Sequence, residues 1–193
     1  TANGHLRDYG PAALAEEREF YRGVRAELEG IAAGSLSPDL AVDHAVLGAQ
    51  LRFLLHYLEE LRYHERAVDT YVAEPFRGVD WQLQQMQEMS GGLLGTAQEW
   101  ALVIARLNAV PPYVGAAKAN LLAGKRADNM ADRRMIERDG IAGSAANADY
   151  FRNTLPKTAA GFIGSGPNVG RERAAILEAL TPAAERAAAA YED

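Results

Sequence analysis

Apolar residues recur at three- and four-residue steps along most of the chain, the spacing that lines one face of an α-helix. Between Pro11 and Ala33 the stripe is Leu14, Tyr21, Val24, Leu28 and Ile31. "GSLSPDL" (34–40) interrupts it: Gly34 suits a helix stop, Ser37 an N-cap and Pro38 the first helical position. A second stripe, Leu40, Leu47, Leu51, Leu54, Leu55, Leu58 and Leu61, predicts a long helix from about Asp39 to Val72 that "AEPFRG" (73–78) ends.

The polar segment "WQLQQMQEM" (81–89) predicts a further helix, and "SGGLLG" (90–95) a break. Residues 96–108 are apolar nearly all round near Leu102–Leu107, the mark of a helix central to the core. Pro111 and Pro112 should end or kink it, because proline lacks the amide donor and restricts the residue before it. A helix over 113–125 follows. "DNMADRRMIERDG" reads as a charged helix stopped by Gly140, "ANADYFRNTL" as a short helix and "AAGFIGSGPNVG" (159–170) as a loop. The remainder is helical, with Pro182 restarting it after Thr181. No alternating run marks a strand and no repeat is visible. The pattern predicts an all-α fold, an irregular bundle of long amphipathic helices kinked near Pro111–Pro112, forming a single helical domain over 1–193.

Composition narrows the partners. Twenty Lys and Arg against 26 Asp and Glu give a net charge of -6, a poor match to nucleic-acid phosphates or an anionic membrane surface. No apolar run approaches the roughly 20 residues that cross a bilayer. The absence of cysteine removes disulfides, thiolate nucleophiles and Cys-ligated zinc together. The chain starts at Thr1 without methionine, so a removed leader stays compatible with the sequence and the compartment is open, cytoplasmic or exported.

Candidate chemistry is sparse. His64–Glu65 opens an HExxH zinc-peptidase motif, but Val68 stands where the second histidine belongs. His56, Glu60 and His64 form an i, i+4, i+8 ladder on one face of the predicted helix. Its outer rungs would lie about 12 Å apart along the axis, too far to share one zinc, so a polar stripe is the reading. "GFIGSGPNVGRER" (161–173) is glycine-rich, yet Pro167 replaces the P-loop lysine and no strand precedes it, which favours a plain loop. No serine sits in GxSxG. "RRMIERD" (133–139) could meet an anionic group but reads as a solvated helix face.

Two blocks carry a resemblance. "DLAVDHAVLGAQLRFLLHYLEELRYHERAVDTYV" (39–72) supplies Leu58, Glu59, Glu60, Leu61, Arg62, Glu65 and Tyr71. "ARLNAVPPYVGAAKANLLAGK" (105–125) supplies Arg106, Leu107, Pro111, Val114, Ala117, Asn120 and Leu121. In this order and separation they resemble the N-terminal half of the bacterial domain-of-unknown-function family eight-eight-five. His64 stands where that family usually has an aromatic residue, and Val68 or Asp69 where it usually has a proline. Its members are longer and largely helical, and their second half carries an HExxxGH-type helix resembling zinc metallopeptidases.

The resemblance implies the helical N-terminal portion of a zinc-dependent peptidase or related hydrolase, forming a wall or lid of the substrate cleft. It places zinc on polypeptide outside these residues and implies no cofactor, metal ligand or catalytic residue within them. The partner would be the remainder of its own polypeptide or a companion chain, and the substrate peptide-like. Arg62, Tyr113 and Lys118 lie inside the matched blocks and are the expected substrate contacts. The alternative is a stand-alone helical module that binds a protein or small ligand without catalysis.

Overall fold

The computed structural model describes residues 4–89, 96–162 and 169–193, and within them every regular element is helical. Helix α1 (Pro11–Glu29) starts at Gly10 with Pro11 in the first turn and stops at Gly30. A 3₁₀ turn (Ala33–Ser35) follows. Helix α2 (Pro38–Leu55) begins as its sequence predicts, with the Ser37 hydroxyl accepting the Leu40 amide and Pro38 in the first turn.

Helix α2 does not reach Val72. It widens into a π segment (His56–Glu60) and ends, and Arg62 takes the left-handed conformation at φ 44°. After a 3₁₀ turn (Tyr63–Glu65), helix α3 (Val68–Met89) runs through "AEPFRG" rather than stopping there. The His56–Glu60–His64 ladder is thereby broken: His56 Nδ1 lies 2.9 Å from Glu60 Oε2, while His64 belongs to the separate turn.

Helix α4 (Ala97–Arg126) is continuous through Pro111 and Pro112, which therefore do not end it. Each proline removes a backbone hydrogen bond, at a cost of up to about 3 kcal/mol in a helix interior. Trp100, Val103, Leu107 and Val110 on the same helix are fully buried, and burial of side chains of this size contributes roughly 2 kcal/mol each. Packing outweighs the local penalty. Helix α8 (Val169–Glu192) passes through Pro182 in the same way.

Gly140 is likewise no terminator. Residues 133–162 form one helical run: α5 (Arg133–Met135), a π segment (Ile136–Ala142), α6 (Gly143–Asp149), a second π segment (Tyr150–Thr154) and α7 (Leu155–Phe162). The expected loop at 159–170 is helical as far as Phe162, and 163–168, like the expected break at 90–95, lie outside the described residues.

The contacts divide the chain into two compact units. The first contains 1–7, 67–119 and 131–193. Its core interleaves four helical stripes: Val79, Leu83 and Met86; Trp100, Val103, Leu107 and Val110; Ala148, Phe151, Leu155 and Ala159; and Ile176, Leu180 and Tyr191 with four alanines of α8. Those alanines (183, 184, 187 and 188) are fully buried, and their small side chains let α8 lie close to α6.

The second unit contains 8–66 and 120–130. Helices α1 and α2 pack as a hairpin in which His44 Nε2 lies 3.0 Å from the Leu28 carbonyl at the end of α1. The last turn of α4 closes with the Asn129 amide bonded to the Gly124 carbonyl at 2.8 Å, around Asp128 at φ 54°. This is a Schellman ending with aspartate where glycine is usual. The Asn129 side-chain amide then reaches the carbonyls of Leu61 and Arg62, at 3.2 and 3.3 Å, and Glu65 Oε2 at 3.0 Å. It adds a donor to backbone carbonyls where the chain leaves α2.

Candidate functional site

An open cleft of about 1100 Å³ lies in the first unit, between α3 and the π segment that leads into α6. Its position follows from glycines. A Cβ on Gly140 would stand 3.0 Å from Val68 Cγ2, and one on Gly143 3.0 Å from Val72 Cγ1, so these residues let the two helices approach. Asn147 anchors the same contact by donating to the Val72 carbonyl at 2.6 Å, which also accepts the Tyr191 hydroxyl at 2.9 Å.

Seven charged side chains line the cleft: Asp69, Glu74, Asp80, Asp139, Arg77, Arg106 and Arg138. The four carboxylates are engaged. Glu74 Oε2 accepts the Tyr113 hydroxyl at 3.0 Å, and Asp80 Oδ2 accepts Gln84 Nε2 at 2.8 Å. Asp139 takes a two-point contact from Arg138, at 2.7 and 2.6 Å, which holds its carboxyl below the usual range. Asp69 lies 3.5 Å from the Thr70 hydroxyl. Burial, with the Asp80 charge behind it, pushes the neighbouring Tyr150 phenol up to about 12, so it is a neutral donor at physiological pH.

Arg106 is set differently. It comes from α4 and donates through Nη1 to the carbonyl of Gly78 on α3. A Cβ on Gly78 would stand 2.9 Å from that nitrogen, so a side chain at this position would shift the guanidinium away from the helix backbone. Burial lowers the Arg106 pKa and the Glu74 charge opposes that shift, but arginine stays protonated throughout the working range. Its Nε is buried and donates to no acceptor among the described residues. A smaller cavity of about 180 Å³ shares Arg106 and Trp81 with the cleft and is floored by Met86 and Leu102.

The three expected contacts fall in different settings. Tyr113 is buried beside the cleft, edge-on to Tyr71, and positions Glu74. Lys118 pairs with Asp193 just beyond the end of α8. Arg62 lies in the second unit, in the left-handed position after α2, 3.5 Å from Glu65. Tyr113 and Lys118 thus belong to the first unit and Arg62 to the second.

The sequence pattern missed Arg77, Gly78, Asp80 and Trp81, because 73–78 read as a helix end. "RRMIERD" was a partial signal. Arg133 pairs with Glu137 and Arg134 with Asp132 in solvent, while Arg138 faces the cleft. Among the described residues no group of three or more His, Asp or Glu converges as metal ligands would.

An all-α protein with an open, charge-lined cleft is thus what the fold defines. The chain belongs to the family described as "Bacterial protein of unknown function (DUF885)", which it matches over residues 1–193. Neither a curated protein nor a solved structure matches it. No helix among the described residues is long and apolar enough to cross a membrane.

Proposed function

We propose that these residues are the helical, non-catalytic portion of a zinc-dependent peptidase or related hydrolase, and that the cleft on α3 is a wall of its substrate channel. The open cleft of about 1100 Å³, with carboxylates and guanidiniums along one face, is the observation that carries this reading. Clefts of this kind hold extended polar ligands by a few placed charges on an apolar floor. Zinc, in this reading, sits on the remaining polypeptide or a companion chain, where a glutamate activates metal-bound water against an amide carbonyl.

The second unit adds support. Along α2 only Leu51 and Leu55 are buried, while Val42, Val46 and Phe53, which share the opposite face at helical spacing, are exposed. An apolar face of this extent on a helix suits contact with further polypeptide. The test is peptide hydrolysis and metal content of this chain alone, compared with the same chain joined by polypeptide bearing the HExxxGH-type helix. The expected result is zinc-dependent turnover in the joined form only. Equal turnover in both forms would falsify the division of labour.

The reading as a stand-alone binding module draws on one observation, that the first unit closes its own core with Trp100, Val103, Leu107 and Val110 fully buried. It requires the chain to unfold cooperatively as a monomer and to bind peptide with no effect on any companion's catalysis.

A further inference from the structure

We infer that Arg77 and Arg106 form a receptor for one carboxylate, the free C-terminal carboxylate of a peptide whose last side chain is apolar. This rests on the cleft being a ligand site, and it names the group that the site takes.

The inference starts from which charges in the cleft are already satisfied. Arg138 is consumed by its two-point contact with Asp139. Glu74, Asp80 and Asp69 accept from Tyr113, Gln84 and Thr70. The two remaining cations have donors to spare. Arg77 is exposed and makes no hydrogen bond or ion pair among the described residues. Arg106 forms no ion pair among them either, and its buried Nε lacks an acceptor, an arrangement that folded proteins seldom leave uncompensated.

The two arginines are brought to one place. The Arg106 guanidinium rests on the carbonyl of Gly78, the residue immediately after Arg77 on α3. Both arginines line the same cleft, and the absent side chain of Gly78 leaves room for the Arg106 guanidinium beside the helix that carries Arg77. A guanidinium presents parallel N–H groups that match the two oxygens of a carboxylate.

Charge and shape select the ligand. Four carboxylates against three guanidiniums leave the cleft at a formal charge of -1. A doubly charged phosphate meets that excess as repulsion, whereas a single carboxylate replaces the partner the two free cations lack. Beside Arg106, the 180 Å³ cavity has Trp81, Met86 and Leu102 as its apolar part and Gln82, Gln85 and Glu99 as its polar part, so a side chain next to the anion finds an apolar seat on one side only. An α-carboxylate adjoining an apolar side chain fits both features at once. The carboxylate of an internal Asp or Glu residue fits only the first.

The experiment titrates the full chain with three short acetylated peptides, followed by calorimetry and amide chemical shifts. One ends in phenylalanine as the free acid, one is the same peptide as the C-terminal amide, and one carries an internal glutamate with an amidated end. The free acid is expected to bind at least tenfold more tightly than either amide and to shift amides around 77–81 and 106. Arg106→Gln and Gly78→Ala are expected to abolish that tenfold preference. Arg106→Lys should restore part of it, and Arg152→Gln, at the exposed cluster with Glu185 and Glu192, should leave it intact. Near-UV circular dichroism confirms that each variant is folded, and Arg77→Gln provides a surface variant should Arg106→Gln unfold.

Equal binding of acid and amide, binding of neither, stronger binding of inorganic phosphate, or a preference that survives both Arg77→Gln and Gly78→Ala would each overturn the inference. Tight binding of the internal-glutamate peptide would overturn the C-terminal assignment. The wall reading fails separately. Acid preference in the isolated chain, without any change in hydrolysis by the joined form when Arg106 is replaced, would retain the receptor and remove its place in the hydrolase.

Discussion

Replacing Gly124 with alanine isolates a contact that holds the second unit together. In an ordinary helix interior, Gly→Ala stabilises by about 1 kcal/mol. Here the added Cβ would lie 2.1 Å from the carbonyl oxygen of Glu65, about 1.3 Å inside the 3.4 Å at which normal contact begins. It would also lie 2.8 Å from the Asn129 carbonyl oxygen and 2.9 Å from the Glu65 carbonyl carbon. All three are backbone atoms, so no rotamer change relieves the overlap. Moving the 63–65 turn would stretch the three Asn129 side-chain bonds to Leu61, Arg62 and Glu65. Overpacking costs about 1–3 kcal/mol, and each lost hydrogen bond about 1 kcal/mol. After subtracting the helix-propensity gain, the net expectation is a loss of about 3 kcal/mol. With a urea slope of about 2–3 kcal/mol per molar, the midpoint should fall by about 1 M or more. Gly115 on the same helix is the control, since nothing lies within 4 Å of its Cβ position, and Gly115→Ala should raise stability by up to about 1 kcal/mol. Opposite signs at the two glycines are required. A Gly124→Ala protein as stable as its parent would refute the docking of the 63–65 turn on α4.

Two further outcomes concern the same unit. Asp128 ends α4 at φ 54°, a conformation that costs a non-glycine residue roughly 1 kcal/mol, so Asp128→Gly should raise the urea midpoint, and a fall would show the side chain contributing more than the strain. Burial lowers the pKa of His64, with Arg18 and Arg62 acting in the same direction and Glu65 against it. A folded-state pKa below the unfolded value means that the unfolded chain takes up the proton first, so stability is lost as pH falls through the ordinary histidine range near 6.5 and the loss is complete below the folded pKa. Histidine ring shifts by NMR should place the His64 midpoint below the ordinary histidine value near 6.5, and His64→Gln should flatten the stability–pH curve between pH 7 and 5; an unchanged slope would refute the assignment.

Much of the fold was legible because the core is built from regular stripes. Val79, Leu83 and Met86, or Trp100, Val103, Leu107 and Val110, follow helical spacing, and the structure buries them. The start of α2 was legible from Ser37 and Pro38, because capping is a local interaction. Its end was not. "LEELRYHERAV" contains no glycine or proline, and the apolar stripe carries on through Leu61. The break depends on Asn129, more than 60 residues away, accepting the role of capping partner for the Leu61 and Arg62 carbonyls. Prolines misled in the opposite direction. Pro75, Pro111 and Pro182 all lie inside helices, because the residues around them bury enough surface to offset a missing hydrogen bond.

The cleft was hidden by the same kind of distant dependence, and its glycines show why. In a sequence, Gly30, Gly78, Gly124, Gly140 and Gly143 look alike, as places where a helix stops. Only Gly30 does so here. Gly78 sits mid-helix because a guanidinium from 28 residues onward lies where its Cβ would be, Gly124 because a carbonyl does, and Gly140 and Gly143 because valines of α3 do. A terminating glycine is explained by its own backbone angles, but a contact glycine is explained only by its partner, which periodicity cannot supply. Arg106 was visible as part of a family pattern, and Gly78 as a punctuation mark. What makes them a site is that one fits against the other, and this leaves the Nε of Arg106 buried without a hydrogen-bond acceptor among the described residues.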